Sequence, residues 1–224
     1  MLQLYFRPLA CSLASRIALL DAGLAARYHQ IDPATKQLVD DGGDFLAVSA
    51  KGQVPVLRLD DGTLLTENVA VLQRIADLAP AAGLAPPDGD PRRYHLQEWL
   101  SFVATEVHRS YLYLTFMPDV PDAVRAHART RIDRPLAVLE AHLAGRPHLL
   151  GARFSVADAY LVWALLLIRY TGVDLAPTPA VAEYLHRVGR RPSVVEALAI
   201  ERPLFAGAAP AKTKDEGSKM KDGH

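Results

Sequence analysis

The stretch LQLYFRPLACSLASRIALLDAGL, residues 2–24, decides the fold of the first part of the chain. Residues 2–6 are apolar and aromatic and end close to a proline, which predicts a short strand. After Cys11, apolar residues recur at helical spacing, namely Leu13, Ile17, Leu20 and Leu24. Ser12 occupies the predicted N-cap of this helix, and Gly23 lies near its end. We therefore predict a strand followed directly by a helix, with the only cysteine of the chain between them.

Alternating strands and helices continue to about residue 80. Residues 27–31 predict a second strand, and residues 54–59 and 63–66 predict a hairpin around an Asp-Asp-Gly turn. Asn68 occupies the N-cap of the next predicted helix. Residues 81–91 are dense in proline and glycine, which is typical of a linker. The predicted order is β-α-β, a less regular segment, then β-β-α.

Beyond the linker every predicted element is a helix. Apolar residues at helical spacing predict helices over residues 94–116, 122–144, 155–171, 179–189 and 192–200. The sequence SVAD at residues 155–158 has the spacing of a capping box at the start of the most apolar of these helices. Residues 204–224 are small, polar and rich in lysine, which predicts a disordered tail.

Composition and charge exclude several classes of protein. The chain has 25 basic and 25 acidic residues, so no field of one sign would attract nucleic acid. The longest apolar run, residues 159–168, is about half of a membrane span, and we predict no membrane segment and a cytoplasmic location. A single cysteine and the absence of a metal-ligand pattern among the histidines predict no metal site.

Two interpretations of Cys11 remain open at this stage. A helix N-terminus favours a thiolate and lowers a cysteine pKa from its usual value of about 8.5. The same N–H groups would equally stabilise the thiolate of a bound small molecule. A lone cysteine is just as commonly a small buried hydrophobic residue.

Other candidate residues stand at helix starts and on one helix face. Glu67 and Asn68 precede free N–H groups that suit a carboxylate, although Glu67 also fits a solvated charge. A semi-polar stripe runs beside the apolar stripe of the helix over residues 94–116, as expected of a face that lines a cleft: Ser101, Thr105, His108 and Leu112. Lys36 and Lys51 are the only lysines of residues 1–206; both also fit ordinary surface lysines.

Several motifs that occur in a fixed order resemble those of one family. They are ACSLASRIAL (10–19), KGQVPVLRLDDGTLLTE (51–67), ATEVHR (104–109), GARFSVADAYL (151–161) and RRPSVVEAL (190–198). The chain resembles the cytosolic glutathione S-transferases, and the bacterial beta class in particular, over residues 1–200. The resemblance implies an α/β plus all-α fold. Residues 1–80 form a thioredoxin-like domain that binds glutathione, residues 81–91 a linker, and residues 92–203 an all-helical domain that lines the electrophile site.

The resemblance also implies which residues act. Cys11, Ser12 and His108 match the catalytic positions beside the glutathione sulfur. Eight further residues are assigned to glutathione binding: Lys36, Lys51, Val54, Pro55, Glu67, Asn68, Ser101 and Arg109. Among these, Lys36 meets the glycine carboxylate, Val54 pairs its backbone with the cysteinyl part before a cis Pro55, and Ser101 reaches glutathione in the partner subunit. Glu67 and Asn68 hold the γ-glutamyl end, whereas Arg109 replaces a common lysine.

The implied function is conjugation of the glutathione thiolate to small hydrophobic electrophiles in detoxification. Glutathione is then a co-substrate, no cofactor is permanently bound, and the enzyme is a homodimer. Exchange of thiols and disulfides through Cys11 is a second implied activity. Phe6 occupies the position of the tyrosine whose hydroxyl activates the thiol in other classes, and Tyr5 faces the other side of its strand. We therefore expect that no tyrosine of this strand activates the thiol. The rival hypothesis is a non-catalytic ligand-binding or interaction protein on the same fold.

Overall fold

The structure is a computed structural model that describes residues 1–207. Its first part contains β1 (Leu2–Phe6), α1 (Ser12–Asp21), β2 (Ala26–Gln30), α2 (Phe45–Val48), β3 (Val56–Arg58), β4 (Leu64–Thr66) and α3 (Asn68–Leu78). The sheet has the order β2-β1-β3-β4, with β1 parallel to β2 and antiparallel to β3. The β-α-β and β-β-α units predicted from the sequence are thereby confirmed.

The two faces of β1 contribute to different hydrophobic clusters. Leu4 and Phe6 belong to the large core formed with α1 and α3, whereas Tyr5 lies in a small cluster with Phe45 and Val56. This alternation follows from the two-residue period of a strand. It confirms that Tyr5 faces away from the side of the sheet on which α1 packs.

The second part is helical throughout. It contains α4 (Arg92–Phe102), a π-helical segment (Val103–Leu112), α5 (Tyr113–Phe116), α6 (Asp122–Arg131), α7 (Asp133–Leu143), α8 (Val156–Tyr170), α9 (Pro179–Val188) and α10 (Pro192–Gly207). A short 3₁₀ turn at Pro80–Ala82 and an irregular stretch connect this part to α3. No helix among residues 1–207 is both long and apolar enough to cross a membrane.

Three helices differ from the prediction. The single helix predicted over residues 94–116 has a π-helical centre, in which the Tyr113 N–H bonds to the carbonyl of His108, five residues earlier. The helix predicted over residues 122–144 is divided at Ile132, because Pro135 in the first turn of α7 has no N–H to extend α6. The last helix continues to Gly207, so residues 204–207, which we assigned to the tail, are helical. The rest of that predicted tail lies outside the described residues.

The predicted capping box at the start of α8 is confirmed. The Ser155 hydroxyl and backbone N–H both contact the Asp158 carboxylate, which also accepts hydrogen bonds from the Leu149 N–H and the Tyr184 hydroxyl. The apolar residues that follow make α8 the buried central helix. Because α1 packs against both α8 and α10, the helical part lies directly on the α/β part.

Candidate active site

A cavity of about 900 Å³ lies between the α/β part and the helical part. Eight of the predicted site residues line it: Cys11, Lys51, Val54, Pro55, Glu67, Asn68, His108 and Arg109. Three others, Ser12, Lys36 and Ser101, do not. Within residues 1–207 no three or more His, Cys, Asp or Glu side chains are grouped as metal ligands.

Cys11 is the N-cap of α1, and its thiol points at the loop before β3. The Sγ–H donates to the carbonyl of Val54 at 3.2 Å. Burial raises the pKa of Cys11 to about 12, and the backbone N–H groups at the start of α1 lower it by less. Of the two interpretations of Cys11 that the sequence left open, the structure therefore supports a buried cysteine and not one with a lowered pKa. Desolvation of a thiolate outweighs the helix N-terminus when the sulfur is covered by protein.

Ser12 does not face the cavity. Its hydroxyl accepts from the Arg7 N–H at 3.3 Å and donates to the Arg7 carbonyl at 3.2 Å, and the residue is fully buried. It is the first helical residue and not the N-cap, so the predicted cap is wrong. Its contacts connect α1 to the end of β1, and among the described residues its hydroxyl forms no hydrogen bond with a group other than Arg7.

The loop before β3 and the start of α3 form the polar end of the cavity. The peptide bond between Val54 and Pro55 is cis, as the resemblance implied. At the rim, the Lys51 ammonium contacts the Glu67 carboxylate at 2.7 Å and the Thr66 hydroxyl at 2.9 Å. Glu67 itself has a left-handed backbone with φ of 66°. A charge pair therefore stands at the mouth, open to solvent.

Lys36 lies behind this loop rather than in the cavity. Its ammonium donates to the carbonyl of Gly52 at 3.4 Å, and its backbone is left-handed with φ of 60°. Ser101 is exposed on α4, where its carbonyl accepts from the Thr105 hydroxyl. Its predicted contact was with glutathione in a partner subunit, and that role stays a prediction.

Asn68 presents a buried donor to the cavity. Its Oδ1 accepts from the Ser15 hydroxyl at 2.9 Å, whereas its Nδ2 is buried and has no hydrogen-bond partner in the described part of the chain. It is the first residue of α3, and Glu67 is the N-cap, so the N-cap predicted at Asn68 is wrong. A buried donor without an acceptor costs about 1–3 kcal/mol. The amide is thus ready to bind an acceptor that enters the cavity.

His108 reaches the cavity from the π-helical segment. Its Nδ1 is 2.7 Å from the Tyr160 hydroxyl, and its ring packs edge-on against Trp163 with centroids 4.7 Å apart. Burial, and then the charge of Arg109, lowers the pKa of His108 to about 4. The imidazole is therefore uncharged near pH 7. The Arg109 guanidinium is exposed and lies over the Tyr113 ring at 3.8 Å.

The turn before Cys11 is held by two side chains that sequence reasoning missed. Leu9 has a left-handed backbone with φ of 58°. Its N–H donates to Glu201 at 2.8 Å, and its carbonyl accepts from the Trp163 indole at 3.0 Å. These contacts join positions 192 and 154 residues apart, so no local pattern could predict them.

The sequence also assigned no individual role to Tyr160. It stands within the motif at residues 151–161, where its neighbours read as the start of a buried helix. A polar side chain in an otherwise apolar run was the available signal.

The far end of the cavity is apolar and aromatic. The Phe116 and Tyr170 rings stack there with centroids 6.3 Å apart, and both are exposed. Other residues of this end are Leu112, Met117, Leu166, Leu167 and Phe205. The cavity thus joins a polar end to an apolar surface that suits a flat hydrophobic molecule.

Comparisons with known proteins give a consistent result. Family models described as the N-terminal and C-terminal domains of glutathione S-transferase match residues 10–78 and 122–187. Over 200 residues the chain is 38% identical to glutathione S-transferase GstA of Escherichia coli O157:H7, which covers 89% of this chain and 98% of that one.

Among solved structures, a sphingomonad glutathione S-transferase complexed with glutathione has 42% identity and a TM-score of 0.85, covering 89% of this chain and 98% of that one. A beta class enzyme of Sphingomonas chungbukensis has 41% identity and a TM-score of 0.84 over the same shares. These relatives are matched over nearly their whole length.

Proposed function

Because this chain belongs to the glutathione S-transferase family, we propose that it conjugates the thiolate of glutathione to small hydrophobic electrophiles. Glutathione is the co-substrate in this proposal and not a permanently bound cofactor. The observation that carries it is the cavity itself. One end offers the unpartnered Asn68 amide beside Glu67 and Lys51, and the other offers an aromatic surface, while Cys11 and His108 line the same space.

The polar end fits the charges of glutathione, which has two carboxylates and one ammonium group. The Asn68 Nδ2 and the start of α3 suit the γ-glutamyl carboxylate, because both present N–H donors. Glu67 suits the ammonium group. Lys51 at the rim and Lys36 behind the loop supply positive charge for the glycine carboxylate. Val54 provides the backbone for the cysteinyl part.

Hydrogen bonds to the charged form of the sulfur activate it in this proposal. A donor that bonds to a thiolate lowers the pKa of that thiol. We assign this role to the uncharged His108 ring, the protonated Cys11 thiol and the N–H groups at the start of α1. Ser12 acts only through the turn that it bonds to. The sulfur electron pair then forms the new bond to an electrophilic carbon, and the leaving group departs with its own electron pair.

Thiol-disulfide exchange through Cys11 is a second candidate activity, since Cys11 lines the same cavity. A Cys11 thiolate would attack one sulfur of glutathione disulfide, form a mixed disulfide and release glutathione thiolate. The high pKa of Cys11 makes this step slow near neutral pH. A mass spectrum that shows a glutathione adduct in wild type and none in Cys11→Ala supports exchange, and no adduct in either protein refutes it.

The binding experiment compares Asn68→Asp with Gln73→Glu, a matched change on the same helix α3 outside the cavity lining. Asn68→Asp keeps the acceptor for Ser15 but replaces the free donor with a negative charge. A hydrogen bond to a charged group contributes about 1.5–3 kcal/mol, so the Kd for glutathione should rise about 10- to 100-fold. Gln73→Glu should stay within about twofold.

Calorimetry with glutathione and turnover of a chlorodinitrobenzene measure the two stages separately. A wild-type protein that does not bind glutathione refutes the transferase proposal. Binding without turnover of any electrophile tested favours the non-catalytic binder on the same fold. Equal affinities of Asn68→Asp and Gln73→Glu would remove Asn68 from the site.

The oligomeric state, the domain boundary and the role in detoxification are also proposals. We propose a homodimer with Ser101 at its interface, which light scattering of wild type and Ser101→Trp would test. Limited proteolysis within residues 81–91 would test the boundary between the domains at residues 1–80 and 92–203. A role in detoxification depends on which electrophiles the enzyme accepts.

A further inference from the structure

The hydrogen bond between Tyr160 and His108 has a consequence for the chemistry of the site. We propose that Tyr160 is a positioning residue that holds His108 in the tautomer protonated at Nε2, so that this ring always offers an N–H donor to the glutathione sulfur. The inference rests on the proposed function, because it assigns a role within that reaction. It concerns an O–H···N hydrogen bond within the chain and no covalent step.

The geometry leaves Nδ1 of the imidazole engaged. Tyr160 lies on α8 with only 2% of its surface exposed, and its hydroxyl is 2.7 Å from the His108 Nδ1. The ring of Trp163 covers the imidazole edge-on, and the indole is itself fixed by the carbonyl of Leu9. With Nδ1 bound to the hydroxyl and one flank covered, Nε2 is the nitrogen left for a ligand.

Two proton arrangements fit a distance of 2.7 Å, and burial distinguishes them. If His108 donates from Nδ1, the phenol hydrogen has no acceptor within residues 1–207, since Nδ1 is the one hydrogen-bond partner of the Tyr160 hydroxyl there. A buried donor left unpaired is unfavourable. If Tyr160 donates to Nδ1, both groups are satisfied and the ring proton must lie on Nε2.

The charges around the pair support this arrangement. Burial raises the pKa of Tyr160 well above its ordinary value, and the nearby Cys11 and Glu67 raise it further, so the phenol keeps its proton. Since burial and Arg109 hold the pKa of His108 near 4, the ring carries one proton at neutral pH.

The test compares Tyr160→Phe with Tyr111→Phe. Tyr111 is an equally buried tyrosine whose hydroxyl bonds to Thr171 at 2.7 Å and which does not line the cavity. Nitrogen-15 spectra of labelled imidazoles identify the protonated nitrogen, and the signal lost in His108→Gln identifies His108. Wild type and Tyr111→Phe should show protonation at Nε2 only, whereas Tyr160→Phe should show an average of both tautomers.

Kinetics give the second measurement. In Tyr160→Phe the donor is present for only part of the time, so the pKa of bound glutathione, followed by ultraviolet thiolate absorbance, should rise. At a pH below that pKa, kcat should fall about 3- to 30-fold, while KM for glutathione changes less than about twofold. A structural defect alone would change both constants and would appear in Tyr111→Phe as well.

The wild-type spectrum alone can overturn the inference, whether or not the variants fold. A His108 protonated at Nδ1 in a wild type that conjugates glutathione refutes the role of Tyr160 and leaves the proposed function intact. An unchanged tautomer in folded Tyr160→Phe refutes it equally. If the wild type neither binds nor conjugates glutathione, the proposed function fails first.

Discussion

Replacing Glu201 with leucine removes a carboxylate that α10 places beneath the turn leading into α1. Its Oε1 lies 2.6 Å from the Arg16 Nε, and its Oε2 accepts from the Leu9 N–H at 2.8 Å. The side chains of Arg16 and Glu201 are 4% and 0% exposed. The guanidinium also stacks on the rings of Phe6 and Tyr28. Glu201 therefore joins the last helix to the first helix and to the cavity.

The magnitude follows from which groups are left without a partner. Breaking a buried ion pair by removing one member costs about 3–5 kcal/mol, because Arg16 stays buried and charged. The unpaired Leu9 N–H costs about 1–3 kcal/mol more. The two losses share one carboxylate and do not simply add, so we expect Glu201→Leu to lower the free energy of unfolding by about 4–6 kcal/mol.

A second substitution separates the two losses. In the double variant Glu201→Leu with Arg16→Met no buried charge remains, and only the loss at Leu9 persists, about 1–3 kcal/mol. The double variant should therefore be more stable than Glu201→Leu by roughly 2–3 kcal/mol. This result would identify the uncompensated guanidinium as the main cause.

Urea unfolding at pH 7 measures these differences, with Glu98→Gln as the control because the side chains of Glu98 and its partner His95 are 67% and 72% exposed. The control variant should have the same urea midpoint of unfolding as the wild type. A Glu201→Leu protein within about 1 kcal/mol of wild type would refute the reasoning, since the value lies below the range for a broken buried pair. So would a double variant no more stable than the single one.

Three further predictions follow from burial. Leu139→Ala should lower the free energy of unfolding by about 2–5 kcal/mol, whereas Val138→Ala on the same helix should change it by less than about 0.5, because Leu139 is 0% exposed and Val138 43%; urea unfolding of both decides. Cys11, with its pKa raised to about 12, should react with iodoacetamide at pH 7 more slowly than free cysteine, and a faster rate would contradict the burial of its sulfur. Because the pKa of His108 is about 4 when folded and 6.5 when unfolded, its contribution to stability is complete above pH 6.5 and decreases as the pH falls toward 4. His108→Gln should reduce this decrease by about 3 kcal/mol, while the lowered pKa of His148 acts in the same direction in both proteins. Equal slopes of stability against pH would show that folding does not lower the pKa of His108.

The sequence alone predicted most of the features that depend on neighbours along the chain, although it misplaced the N-caps of α1 and α3 and missed the division between α6 and α7. The pattern of apolar residues predicted the four strands, α1 and α3 but not the short helix α2, and the pattern at residues 155–158 predicted the capping box. Alternation along β1 placed Tyr5 and Phe6 on opposite faces. The family motifs selected eight residues that do line the cavity, because each motif is a local segment whose backbone shapes one wall.

The tertiary structure decided how deeply those residues are buried and which groups they form hydrogen bonds with. A helix N-terminus favours a low pKa for Cys11, but the folded chain buries the sulfur and raises the pKa to about 12. Ser12 stands beside Cys11 in the sequence, yet its hydroxyl is taken by Arg7. The partners of Leu9 and His108 come from helices far along the chain. Desolvation and long-range hydrogen bonds depend on which surfaces meet, and that is determined only when the whole chain has folded.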